Sequence, residues 1–313
     1  MKDQLSTEKF VDPQITATGE PRAHVALRNV QTLWFNTGTL CNIECENCYI
    51  LSSPTNDALV YLTAEDVTTY LDQLEDRNWG AQEIGFTGGE PFMNPHMIDM
   101  TRCALERGYD VLILTNAMQP MMRKRVQAGL LDLHATYGDK LTLRISVDHW
   151  DKGLHDKERG AGSFQRTLDG MNWLRDHNIH MTVAGRTVWG ETDPQARQGY
   201  AKLYAAHGFA IDADNPAATV LFPEMDETVD VPEITTACWG ILNKSPDDVM
   251  CASSRMVVKH KGAASPSVIA CTLLPYSPEF DLGTTLEQAE RDVHLNHPHC
   301  AKFCVLGGAS CSA

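Results

Sequence analysis

Between Thr32 and Phe222, short apolar or β-branched runs alternate with longer amphipathic stretches, and this alternation restricts the fold more than any other feature of the chain. The runs Thr32 to Asn36, Ile84 to Thr87, Val111 to Thr115, Leu141 to Val147, Met181 to Val188 and Thr219 to Phe222 read as strands. Helices are expected around Thr63 to Leu74, Met97 to Arg107, Met121 to Leu131, Phe164 to Asp176 and Gln195 to His207, the first opened by a capping box of Thr63 and Asp66. Strands separated by helices run parallel, so six such units predict an α/β fold, either a partial (β/α)6 barrel or an open doubly wound sheet. In both, chemistry gathers at the C-terminal ends of the strands.

Residues 1–30 have no periodicity and read as a lead-in, 31–225 as the core, and 226–313 as a second, cysteine-rich unit with one helix near Leu286 to Asp292. The 313 residues are 43% hydrophobic and 21% charged, the composition of a globular protein with a large core. A net charge of −15 would repel a nucleic-acid backbone, so no nucleic-acid partner is expected. Neither a secretion signal nor a membrane-length apolar run is present, and a cytoplasmic location with no membrane association is expected.

Ten cysteines without a secretion signal point to metal binding rather than disulfides, and they fall in two groups with Cys103 alone between them. Cys103 is expected to be a small buried hydrophobe. Cys41, Cys45 and Cys48 follow directly on the first strand, with gaps of three and two residues. Three thiolates from one loop can ligate three irons of a [4Fe-4S] cube and leave the fourth iron open for chemistry. The competing reading is a zinc knot, which wants four closed ligands. One unit later, Gly88, Gly89, Glu90 and Pro91 end the second strand. Their glycines permit close approach of backbone to a ligand, and Glu90 can accept from a cationic amine.

The cysteine spacing, the aromatic Tyr49 after it and the Gly-Gly-Glu-Pro turn together resemble the radical S-adenosylmethionine (radical SAM) superfamily. The resemblance covers about two thirds of the chain and implies the partial barrel rather than the doubly wound sheet. It also implies an enzyme in which a reduced [4Fe-4S] cluster cleaves S-adenosylmethionine to methionine and a 5'-deoxyadenosyl radical, which takes a hydrogen atom from a substrate. Oxygen sensitivity and a flavodoxin- or ferredoxin-type electron donor follow from the same likeness. So do cofactor-binding roles for Tyr49, Gly88, Gly89, Glu90, Pro91, Thr115, Asn116, Ser146, Asp148 and, for a carboxylate, Arg186. His155 to Phe164 resembles the family's link between the fourth strand and its helix. No residue is assigned to the catalytic hydrogen transfer.

Cys251 and Cys271 bracket an expected hairpin through Val257, Val258 and Gly262, and Cys300, Cys304 and Cys311 follow, with Cys238 upstream. The arrangement resembles the twitch and SPASM auxiliary-cluster extensions of that family. It departs from the full SPASM pattern in the gaps of three and six residues among the last three cysteines. One auxiliary [4Fe-4S] cluster on Cys251, Cys271, Cys300 and Cys304 is therefore expected and not a second, with Cys311 or Cys238 able to replace any of the four. It would accept an electron or anchor substrate. A structural zinc site with His297 or His299 is the alternative, and a non-catalytic zinc or iron–sulfur protein is the alternative for the whole chain. Too little chain precedes Thr32 for a leader-binding module, so a small molecule undergoing oxidation or rearrangement is the expected substrate. A peptide presented by a separate partner is the second choice.

Overall fold

The computed structural model describes residues 4–308. After a short strand β1 (His24–Val25), the chain lays down β2 (Thr32–Asn36), α1 (Ala64–Arg77), β3 (Glu83–Thr87), α2 (Met97–Glu106), β4 (Asp110–Thr115), α3 (Lys124–Tyr137) and β5 (Leu141–Ser146). Helices α4 (Lys152–Arg159) and α5 (Ser163–Asp176) follow, then β6 (Met181–Arg186), α6 (Asp193–His207) and β7 (Thr219–Phe222). The rest of the chain supplies α7 (Cys238–Leu242), β8 (Ser254–Val258), β9 (Ser267–Ile269) and β10 (Val293–His294).

The main sheet has the order β7-β6-β5-β4-β3-β2-β8-β9 and is parallel from β7 to β8. The run from β7 to β2 is sequential, with no reversal, which marks a partial barrel and rules out the doubly wound alternative. The strands read from the sequence fall within two residues of those observed, because their apolar runs are buried against the helices: β2 is buried along its whole length. Thr63 caps α1 as expected, its side chain accepting from Asp66 N while Asp66 accepts from Thr63 N at 2.9 Å.

Two features differ from expectation. Helix α4 is additional, capped by Asp151, whose Oδ1 accepts from Gly153 N and Leu154 N. The helix near Leu286 to Asp292 is not formed; only a 3-10 turn, Gln288–Glu290, stands there. Gln288 Oε1 accepts from Thr284 N and Thr285 N, which ties the stretch into a turn, and Arg291 is already extended on the way to β10.

The cysteine-rich stretch is not set apart from the sheet. Its hairpin, antiparallel β8–β9, continues the sheet beside β2, with Thr32 to Phe35 matched to Ser254 to Val257. The described part of the lead-in, residues 4–30, is tied to the rest of the chain: β1 pairs with β10, and buried Arg22 meets Glu233 at 2.6 Å. Among the described residues no helix is long and apolar enough to cross a membrane.

Candidate active site

Beyond β2 the chain runs backbone to backbone against the exit of β3. Gly89 N donates to Gly38 O at 2.9 Å and Glu90 N to Leu40 O at 3.2 Å. Gly88 holds φ +145, and a Cβ there would stand 2.6 Å from Gly38 O, so only glycine permits this contact. The close approach that the glycine makes possible is thus partly to the protein's own backbone, at the point where the cysteine loop begins. The loop closes on itself through Cys41 N to Ser53 O (3.0 Å) and Ser52 N to Cys48 Sγ (3.3 Å).

The middle of the loop is held from outside by the end of α4. Glu158 accepts from Asn47 N at 3.0 Å and Asn47 Nδ2 at 2.6 Å, and its carbonyl accepts from Glu46 N. Arg186 donates to Glu158 Oε1 and to Asn47 O, each at 3.0 Å. Arg186, expected to meet a ligand carboxylate, is in a buried ion pair with Glu158 that braces the loop. Glu158 and Asn47 escaped sequence reasoning; the signal was the acidic residue next to Arg159, and its partner lies 111 residues away.

Glu90 is turned inward. Its carboxylate accepts from Thr115 Oγ1 (2.8 Å), Asn116 N (2.9 Å) and Phe92 N (3.2 Å), and burial pushes it above the ordinary range. Asn116 Nδ2 in turn donates to Asn42 Oδ1 inside the cysteine loop at 3.0 Å. Glu90 therefore ties β3, β4 and the loop together.

A cavity of about 130 Å³ lies at these strand ends. Cys41, Cys45, Cys48, Tyr49, Gly88, Gly89, Thr115, Asn116, Ser146, Asp148 and Arg186 all border it, so the structure gathers these sequence-read positions, whereas Glu90 and Pro91 stand behind its wall. Arg159 also borders it and grips Asp148 with two bonds, 2.6 and 3.1 Å. Burial would raise the Asp148 carboxyl, but the Arg159 guanidinium outweighs it and holds Asp148 below the usual carboxylate range. Burial pushes the Cys41 thiol up to about 12 and Cys45 up to about 11, and the Arg159 charge pulls against both shifts.

Three thiols on one small cavity, faced by a guanidinium, fit a cluster that needs thiolates and carries negative charge.

In the second group, Cys251 sits in the turn before β8, Cys271 just after β9, and Cys300 opens a π-helical turn, Cys300–Leu306, that includes Cys304. Burial pushes Cys251 up to about 12 and Cys300 well above its ordinary value, and Cys271 adds to both shifts, so these three share one environment. Buried Arg255 donates to Cys251 O at 2.6 Å and feels both Cys251 and Cys271, much as Arg159 feels the first group. The Cys238 sulfur accepts from Thr235 N and lies within 3.5 Å of Thr235 Oγ1, in its own turn. Cys103 is partly buried on α2, and Cys311 lies outside the described residues.

A larger cleft of about 580 Å³ adjoins the small cavity and shares Asn47, Cys48, Tyr49, Glu158, Arg186 and Met225 with it. Its other walls are Val188 and Trp189 after β6, Glu224 to Glu227 after β7, Leu273 to Ser277 after β9, and His297 with His299. Tyr276 donates to Ile50 O at 2.8 Å and pins the last of these loops over the cysteine loop.

The family model of the radical SAM superfamily matches residues 35–198, just over half of the chain. AlbA, the antilisterial bacteriocin subtilosin biosynthesis protein of Bacillus subtilis, is 34% identical over 145 residues, which are 46% of this chain and 30% of that protein. An AdoMet-dependent heme synthase of Methanosarcina barkeri is 26% identical over 155 residues, 47% of this chain and 41% of the relative. The matched stretches thus span less than half of either curated relative. Among solved structures, SuiB of Streptococcus suis with bound S-adenosylmethionine superposes with a TM-score of 0.57 at 12% identity, covering 82% of this chain and 63% of SuiB. The AdoMet-bound anSMEcpe gives 0.57 at 14% identity, with 82% and 76% covered. Fold, family match and the gathering of three cysteines at the strand ends agree, and the chain belongs to the radical SAM superfamily of enzymes, which use a [4Fe-4S] cluster and S-adenosylmethionine.

Proposed function

We propose that Cys41, Cys45 and Cys48 hold the catalytic [4Fe-4S] cluster, that S-adenosylmethionine binds beside it across the small cavity and the inner part of the adjoining cleft, and that a peptide substrate lies in the outer part of that cleft. When bound, the cluster supplies the electron that releases a hydrogen-abstracting 5'-deoxyadenosyl radical from S-adenosylmethionine. The protein's part is position and exclusion of water. Gly88 and Gly89 set the floor of the cavity, Thr115, Asn116 and Ser146 offer polar groups to the cofactor, and Arg159 balances thiolate charge. Arg186 and Glu158 fix the loop that carries the cysteines. Residues 226–313 form a twitch- or SPASM-like unit whose one auxiliary cluster, on Cys251, Cys271, Cys300 and Cys304, takes an electron from the substrate radical.

The observation that carries the reading is that one cavity, lined by three thiols, adjoins a larger one and shares Cys48 and Tyr49 with it. Two names favour a peptide: AlbA is a bacteriocin biosynthesis protein, and SuiB has been solved with its precursor peptide SuiA. This reverses the order expected from sequence. A small molecule remains the second reading, because about 580 Å³ is the size of a small-ligand pocket and a GTP 3',8-cyclase of Nostoc is also a relative.

The test is anaerobic reconstitution with iron counting and assay of 5'-deoxyadenosine, on the wild type and on Cys41/Cys45/Cys48→Ala. About eight irons per chain falling to about four, with cleavage lost, is the expected outcome. Iron counts unchanged by the triple substitution would overturn the assignment of the first site.

A further inference from the structure

The cleft wall also carries a group of ligands that the proposed chemistry does not use. Glu227 follows β7, His297 and His299 lie just before the π-helical turn, and one donor atom from each lies within 4.8 Å of the other two. His297 Nε2 is 3.5 Å from Glu227 Oε2, and the two rings meet edge to face with centroids 4.7 Å apart. That nitrogen–oxygen distance is longer than a good hydrogen bond, yet it is close to the roughly 3.3 Å that separates two ligands on a tetrahedral ion with bonds of about 2.0 Å. His299 is 5% exposed and its Nδ1 has no hydrogen-bond partner, an unmet demand that a buried ring normally satisfies. Glu224 and Asp226 border the same cleft and add negative charge.

We propose that Glu227, His297 and His299 bind one divalent first-row cation of the zinc or ferrous class, in a mononuclear site separate from both cysteine groups. Two imidazoles and one carboxylate leave coordination positions open, and all three residues border the cleft, so the open positions face the substrate space. His297 Nδ1 accepts from His299 N at 3.1 Å, which leaves the ring proton on Nε2, toward Glu227. The cation takes the place of that proton. The ring proton moves to Nδ1, and the single amide contact is given up. The site does not depend on the proposed substrate or on turnover, because it is read by binding alone.

The probe is Co²⁺, titrated anaerobically into the reconstituted full chain. Tight uptake with weak visible absorption of nitrogen–oxygen ligation, and without a thiolate charge-transfer band in the near ultraviolet, is expected. Glu227→Gln and His297→Ala should each weaken it by about tenfold or more, with iron content unchanged. The Glu227 side chain is 62% exposed, so its substitution leaves folding intact and a lost affinity reports on the ligand. No uptake by the wild type, equal uptake by both variants, or uptake marked by the thiolate band would overturn the proposal. The last result would assign the metal to cysteines, with Cys300 next to His299 as the first suspect.

Discussion

Glu158 fixes the cysteine loop from 111 residues away, through two bonds to Asn47 and one to Arg186. Glu158→Ala removes the acceptor and leaves the Arg186 guanidinium buried without its charge partner, a change that costs about 3–5 kcal/mol. Denaturant unfolding should show that loss, and reconstituted protein should retain less iron. Unchanged values of both would mean that the loop holds its shape unaided. Asp148, which borders the same cavity, makes a pH-dependent contribution. Its carboxyl is held below its ordinary value in the folded chain, so the Asp148–Arg159 pair stabilises fully above the unfolded value of about 3.9 and loses this as pH falls through the folded value. Asp148→Asn should therefore be clearly less stable than wild type at pH 7, and the gap should close below about pH 4. A gap that is constant with pH would show that the cost is packing alone.

At the scale of elements, the turn after β3 depends on a contact that only glycine allows. Gly88→Ala should cost about 2–4 kcal/mol, since a Cβ adds a collision with Gly38 O to an unfavourable φ. Gly262, at the β8–β9 turn, is the matched control: its φ is +82 with nothing within 4 Å of a Cβ, so Gly262→Ala should cost only about 1–2 kcal/mol. Equal losses in thermal or denaturant unfolding would refute the steric account. The same contrast explains what could be read beforehand. The strands were legible because burial on both faces writes itself as apolar runs such as Leu33-Trp34-Phe35, and the cysteine loop was legible because its ligands are neighbours in sequence. Helix α4 was not: Lys152-Gly153 at its start and charged residues throughout hide a helix whose signal is one Asp cap. The stretch after Leu286 erred the other way, because Gln288 and the pairing of β10 with β1 overrode a helical pattern. Arg159, Glu158 and Arg255 could not be placed, because their meaning lies in partners that only the folded chain brings near.

On the scale of the whole molecule, residues 4–30 and the described part of the cysteine-rich stretch, 226–308, are fastened to one another and to the barrel. Leu5 N donates to Thr228 O, Ala23 N to Ile234 O and Leu295 N to Ala23 O, while β8 covers the outer side of β2. The main-chain groups of Leu33, Trp34 and Phe35, buried in the intact chain, would form an open edge if residues 226–313 were removed. An open apolar edge of this kind pairs with other chains. A chain cut after Met225 should thus aggregate or fail to fold, even though it keeps every strand from β2 to β7 and all three cysteines of the first site. A finer probe leaves the chain intact. Arg22 has a fully buried side chain, and Glu233 meets it with 6% of its own exposed. Arg22→Ala takes away that ion-pair partner while Glu233 keeps its bonds from Phe10 N and Ala17 N, and should cost about 1–3 kcal/mol. If these segments and the barrel fold as one unit, that loss will shift a single unfolding transition, and fluorescence of Trp34 in the barrel and of Trp239 in α7 will move together. Tryptophan-to-phenylalanine variants that isolate each signal make this measurable. Two transitions, with the Trp34 signal unmoved by Arg22→Ala, would show that the barrel stands on its own and that the cysteine-rich segment is an appendage.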